Sequence, residues 1–222
     1  GRTGDVEMST VVLAGTGTYG QIYRSTDGGQ SWSLVQRLGS ASYVYSLVDL
    51  GGGVVLAGIY PNGQVYRSTD GGQSWSLVQR LGSESQVWSL VNLGDGVVLA
   101  GTGTNGQVYR STDGGQSWRL VQRLGTQGQV LSFADLGGGV VLAGTSPHGQ
   151  IYRSTDGGQS WNFVQRLGSE TQVYSLVNLG GGVVLAGTNG RVYRSTNSGQ
   201  SWSLVQQLGS EIYVWTLADL GG

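Results

Sequence analysis

The sequence predicts an all-β chain, a five-bladed β-propeller of four-stranded antiparallel blades. Three observations predict it: a string close to YRSTDGGQSW returns five times, no segment carries a helical period, and glycine supplies 42 of the 222 residues. Glycine is thus about 19% of the chain against a usual level of roughly 7%. Repetition at a fixed spacing is the mark of stacked supersecondary units, and the glycine excess provides the turns that many short strands require.

The repeated serines are Ser25, Ser68, Ser111, Ser154 and Ser195, giving three intervals of 43 residues and a last one of 41. The two missing residues fall in the loop before Gly190, where TNG replaces TGTNG. Each unit reads as four segments in the order VYSLVDL, GVVLAGT, QVYRS and WSLVQRL, rich in Val, Leu, Tyr and Trp, which are strand-forming residues. Four strands of about 5 to 7 residues joined by short turns account for a period of this size, that of one propeller blade. The second segments are apolar at consecutive positions, as at Val54, Val55, Leu56 and Ala57, which suits a sheet covered on both faces. The fourth segments end in Gln36 and Arg37, Gln79 and Arg80, Gln122 and Arg123, and Gln165 and Arg166. Such polar pairs are expected to blunt an exposed sheet edge.

These elements divide the chain into a tail, 1–9, and a single propeller, 10–222, with blades at 10–38 plus 212–222, 43–81, 86–124, 129–167 and 172–208. The segment 213–220, YVWTLADL, has the sequence of a first strand, whereas the chain reaches a second-type strand already at Val11. Pairing 213–220 against 11–15 is expected to close the ring by a Velcro closure and remove two open edges. A monomer follows, with a strand-swapped oligomer as the alternative.

Charged residues are only 11% of the chain, 12 Arg and no Lys against 13 acids, with a net charge of −1. No basic stripe exists to neutralise phosphates, so nucleic acid and anionic membrane surfaces are excluded as expected partners. Apolar runs such as 53–60 fall far short of the roughly 18 residues of a membrane span. Cysteine is absent, which removes disulfides and thiolate metal sites and leaves the compartment open.

The octet Ser25-Thr26-Asp27-Gly28-Gly29-Gln30-Ser31-Trp32 resembles the Asp-box, or bacterial neuraminidase repeat, S-x-D-x-G-x-[ST]-W. The copies at Ser68, Asp70, Gly72 and Trp75, at Ser111, Asp113, Gly115 and Trp118, and at Ser154, Asp156, Gly158 and Trp161 match at every defined position. The fifth, Ser195, Asn197, Gly199 and Trp202, carries Asn for the Asp. The box reads as a hairpin in which Ser and Asp oxygens accept backbone N–H bonds, glycine takes positive φ and Trp enters the core. The resemblance implies a propeller. It leaves the activity open, because Asp-box propellers include sialidases and other glycosidases, sortilin-type receptors and photosystem assembly factors, and the box lies away from the ligand site.

A sialidase-like glycoside hydrolase would need an arginine triad, a Tyr and Glu nucleophile pair and an acid, and none stands out. Nine of the twelve arginines recur at equivalent positions. The acids are box members, strand ends (Asp49, Asp135, Asp219) or loop glutamates one unit apart, so no unequal carboxylate pair suggests itself. His148, the single histidine, lies in a loop without a triad or a metal cluster. No catalytic residue, metal or cofactor is therefore expected.

The repeats differ mainly in two loop sets that share one propeller face: TGTYG, IYPNG, TGTNG, TSPHG and TNG between strands two and three, and GSASY, GSESQ, GTQGQ, GSETQ and GSEIY before strand one. That face is where loop function resides. The candidate binding residues are Tyr45, Trp88, Tyr174 and Trp215 near the mouth, with Leu131 at the same place in the fourth blade, and Tyr19, Tyr60, Asn62, Asn105 and His148 in the loops. Their rings could stack on a sugar or hold a peptide side chain, or simply pack between blades. The loop Asn, Glu and Gln residues read as solvated. The expected function is a non-catalytic scaffold or binding module for a glycan or a protein segment. The alternatives are the hydrolase and an amplified or constructed array without a specific ligand.

Overall fold

A computed structural model of the chain describes residues 10–221; the tail expected over 1–9 lies outside the described residues. Nineteen strands and no helix make up the described chain. They are β1 (Val12–Gly15), β2 (Gln21–Ser25) and β3 (Ser33–Arg37); β4 (Tyr43–Gly51), β5 (Val54–Tyr60), β6 (Gln64–Ser68) and β7 (Ser76–Arg80); β8 (Gln86–Gly94), β9 (Val97–Gly103), β10 (Gln107–Ser111) and β11 (Arg119–Arg123); β12 (Gln129–Gly137), β13 (Val140–Ser146), β14 (Gln150–Ser154) and β15 (Asn162–Arg166); and β16 (Ser175–Gly180), β17 (Val183–Gly187), β18 (Arg191–Ser195) and β19 (Ser203–Gln207). Within each unit consecutive strands pair antiparallel, as a meander. Units three and four are further joined into one sheet where Gln129 pairs with Gly103.

The box turns form as the sequence requires. Ser68 Oγ donates to Asp70 Oδ1 at 2.8 Å and accepts from Gly72 N at 2.9 Å, while Asp70 accepts from Ser74 N at 2.9 Å and Ser74 Oγ at 2.6 Å. Trp75 Nε1 then donates to Gly72 O at 3.0 Å. Gly72 needs to be glycine twice over: its φ is +86°, and an added Cβ would sit 2.6 Å from Leu13 of the preceding unit. Gly115 meets Leu56 and Gly158 meets Leu99 in the same way. Each interface thus presses a leucine of one unit onto the box of the next.

Those interfaces hold the core. Leu56, Leu99 and Leu142 are fully buried, and Trp75, Trp118, Trp161 and Trp202 are nearly so, each such side chain contributing roughly 1.5–3 kcal/mol by leaving water. The polar pairs expected to guard sheet edges have another task. Gln122 Nε2 donates to Trp161 O and its Oε1 accepts from Trp161 N, both at 3.1 Å, and Gln36 and Gln165 grip Trp75 and Trp202 likewise. The arginine after the strand-three tyrosine also crosses the interface, Arg67 Nε donating to Gly114 O at 3.0 Å. A buried backbone group without a partner is costly, so these side chains are mortar between units rather than edge guards.

The closing pair expected between 11–15 and 213–220 is not formed. Strand β1 bonds β2 alone, and 213–220 contains no strand. Val214 N instead donates to Thr188 O at 2.8 Å, as Val44 N does to Thr16 O. The segment therefore continues the unit-to-unit stacking beyond β17 instead of turning back to β1. As a result Trp32 is 41% exposed although its four equivalents are at most 8%.

Candidate functional site

The first strands of successive units, β4, β8, β12 and β16, lie beside one another, which places their variable residues along one wall. Two positions at the leading end of each first segment face the loop end; they lie within β4, β8 and β12, just precede β16, and at 213–215 lie outside any strand. The leading position holds Tyr43, Gln86, Gln129, Gln172 and Tyr213; two residues on stand Tyr45, Trp88, Leu131, Tyr174 and Trp215. The second of these is no ordinary strand position. Pairing runs from Val44–Ile59 to Ser46–Gly58, from Val87–Thr102 to Ser89–Gly101 and from Val130–Thr145 to Ser132–Gly144, so Tyr45, Trp88 and Leu131 are the extra residues of β-bulges. A bulge re-aims its side chain and is common beside functional sites.

The rings so presented associate. Tyr45 stacks on Trp88 of the next unit at 4.2 Å between centroids and on Tyr43 at 5.4 Å, with Tyr60 tilted against both tyrosines. A second group joins Tyr174, Tyr213 and Trp215 at 4.5 to 5.7 Å. Interblade packing and ligand presentation are thus combined in the same rings: Tyr45 and Trp88 are half-buried, while Tyr43, Tyr213 and Trp215 are exposed. Burial, with the neighbouring Tyr43 and Tyr60 phenols, pushes the Tyr45 hydroxyl above its ordinary value, and burial with Tyr213 does so for Tyr174. Both stay neutral and can donate.

The loop residues fare differently from their reading as solvated groups. Glu84, Gln127 and Glu170 are buried, because they tie the two loop sets together. Glu84 accepts from Asn105 Nδ2 at 2.7 Å, Asn105 N at 2.9 Å and Thr102 Oγ1 at 2.8 Å. Gln127 Oε1 accepts from Thr145 Oγ1 and from His148 N. Glu170 is held by Arg191 at 2.7 Å and by Asn189 N. The sequence carries no local sign of these contacts, because the partners come from the loop across the unit boundary. Asn105 is therefore a strut, whereas Tyr19, Asn62 and His148 are exposed and Tyr60 belongs to the aromatic group.

The box acids lie in turns and are committed there. Hydrogen bonds from Ser31, then from Ser25, hold the Asp27 carboxyl at about 2, and those from Ser74 and Ser68 do the same at Asp70. Partial desolvation opposes the shift at Asp113 and Asp156, yet the serine bonds prevail and both also stand at about 2.

Comparison with known families gives a match to the BNR/Asp-box repeat at residues 23–34, 66–77, 109–120 and 152–163. Four of the units carry a BNR/Asp-box repeat. The fifth box, with Asn197, stands outside the matched segments yet makes the same turn, Asn197 Oδ1 accepting from Ser195 Oγ and Ser201 N. A search of curated proteins finds no match. Among solved structures, an ancestral GH74 enzyme is 26% identical with a TM-score of 0.61, over 72% of this chain and 23% of its own. The GH74 xyloglucanase from Xanthomonas campestris is 18% identical with a TM-score of 0.70, over 86% of this chain and 35% of its own. YCF48 bound to D1 peptide is 18% identical with a TM-score of 0.56, over 89% of this chain and 82% of its own. The Asp-box chain accordingly spans only about a quarter to a third of the length of those GH74 proteins.

Proposed function

We propose that this Asp-box chain is a non-catalytic binding module whose loop-bearing wall takes a neutral glycan or an extended protein segment. The observation that carries the reading is the pair of aromatic groups at the leading ends of the first segments, Tyr43, Tyr45, Tyr60 and Trp88 at one side, with Tyr45 and Trp88 on bulges, and Tyr174, Tyr213 and Trp215 at the other. Aromatic rings with polar tips favour such ligands because they offer apolar area and hydrogen bonds at little entropic cost. The absence of charge among these rings favours an uncharged ligand. The similar structures include both a xyloglucanase and a propeller bound to a peptide, so each ligand class has a precedent on this fold.

A glycan array and a peptide array probed with the wild type and with Tyr45→Ala plus Tyr174→Ala test the reading. Binding to a member of either array, at least about tenfold weaker in the variant, is the expected result, each stacked aromatic being worth roughly 1 kcal/mol or more. Turnover of any substrate in a fluorogenic glycosidase panel would remove the non-catalytic part, and binding indifferent to both substitutions would move the site elsewhere.

A further inference from the structure

The aromatic wall is interrupted between the third and fourth units, where a glycine stands in place of a tyrosine. In the second unit the last residue of β5, Tyr60, pairs with Tyr43 and lays its ring against Tyr43 and Tyr45. In the third unit the equivalent residue, paired with Gln86, is Gly103. A Cβ added there would collide with three side chains, at 2.9 Å from Gln86 Oε1, 2.9 Å from Trp88 Nε1 and 3.0 Å from Gln129 Cγ, so Gly103 lets these side chains close over its backbone. A cavity of about 310 Å³ opens at this place, lined by Gln86, Thr104, Gly128, Gln129, Ser146 and Pro147, at the small end of the roughly 300–1,000 Å³ usual for small-molecule sites.

We infer that this cavity, beside Gly103 and between the Gln86 and Gln129 side chains, is a subsite for one neutral pyranose ring of a glycan; the inference rests on the binding-module reading above and names its ligand. The lining decides the class. Neither the Gln86 nor the Gln129 amide has a partner among the described residues, and the Trp88 indole N–H, buried at its nitrogen, has none either. Each amide offers a donor beside an acceptor, the pattern that vicinal hydroxyls, each donating and accepting, complete. A purely apolar ring would leave the amides unpaired at a cost. An anion or cation would be desolvated with no charge among the lining residues to meet it. Pro147 gives the apolar surface that the C–H face of a sugar covers.

The test follows the Trp88 indole N–H resonance, assigned from Trp88→Phe, while methyl β-D-glucopyranoside, methyl α-D-mannopyranoside and methyl N-acetyl-β-D-glucosaminide are titrated separately into the full chain, with N-acetylneuraminic acid as the charged control. At least one neutral glycoside is expected to shift that resonance saturably, and the acid is not. Gly103→Ala, whose added Cβ must push the Gln86 and Gln129 side chains out of place, should weaken this binding by at least about tenfold. Gln86→Ala with Gln129→Ala, changes at half-buried side chains that hold no internal bond, should do so with the fold intact by circular dichroism. Absence of a shift with all three glycosides overturns the subsite, as does a shift of equal affinity in the Gln86/Gln129 variant. If the arrays show a ligand that depends on Tyr45 and Tyr174 but not on Gly103, Gln86 or Gln129, the binding wall stands and only the subsite falls.

Discussion

The box end and the mouth end of each unit are built on opposite terms. At the box end four turns share one hydrogen-bond scheme and the fifth changes a single bond of it, the Trp Nε1 bond to a glycine carbonyl standing at 3.0 Å in every copy. At the mouth the units differ: Tyr60, Gly103 and Ser146 occupy one position, and Ala41, Glu84, Gln127 and Glu170 another. The uniform end is fixed by positive-φ glycines, committed carboxylates and leucines pressed on backbone, so a change there disturbs a neighbouring unit as well. The varied end has bulges, free amides and rings whose replacement leaves the sheets paired. Identity among repeats therefore marks what the interfaces demand, and difference marks where a ligand can be chosen.

The box tryptophan offers the largest effect with which to break this comparison. Trp118→Ala should cost about 3–5 kcal/mol, because a buried aromatic is lost from a unit interface. Trp32→Ala, at 41% exposure, should cost about 1 kcal/mol. Urea denaturation of the two variants decides it. Equal losses would mean that the Trp32 face is covered in solution, as a closed ring requires, and the asymmetry between first and later units would vanish.

The glutamine clamps give the next effect. Gln122→Ala strands the Trp161 N–H and C=O at an interface and should cost roughly 1–3 kcal/mol. Gln206→Ala, at the same place in β19 but exposed, should stay within about 0.5 kcal/mol. A neutral result at Gln122 would return these residues to the edge-guarding role that their sequence suggests.

That reversal shows how far the sequence reaches. Period, strand order and box turns were legible because they depend on local pattern, on alternation, on glycine at fixed places and on oxygens two and four residues from their donors. The clamps were not, since Gln122 meets Trp161 from 39 residues away and nothing in QR at a strand end tells an edge from an interface. Glu84 was missed for the same reason: its partners, Thr102 and Asn105, come from the opposite loop, so a loop carboxylate that looks solvated is buried. The bulge that turns Tyr45 and Trp88 toward the mouth depends on register between two strands, whereas their identity as varied aromatics could be read directly.

The smallest effect concerns the one box that differs. Asp113→Asn copies the fifth box, where Asn197 Nδ2 donates to Ser201 Oγ at 2.7 Å and its Oδ1 keeps the serine and backbone bonds. The loss at pH 7 should stay below about 0.5 kcal/mol, since the carboxylate is exposed and its charge is screened. The pH profile separates the two residues more sharply. Asp27, Asp70, Asp113 and Asp156 stand at about 2 in the folded chain, below the ordinary value of 3.8. A group depressed on folding contributes stability that is fully present above its unfolded pKa and is lost as pH falls through the folded one. Stability should therefore drop between about pH 4 and pH 2. The drop should shrink stepwise as the four aspartates are changed to Asn one by one, and Asn197→Asp should steepen it. A slope unchanged in the fourfold variant would assign the acid sensitivity to other carboxylates.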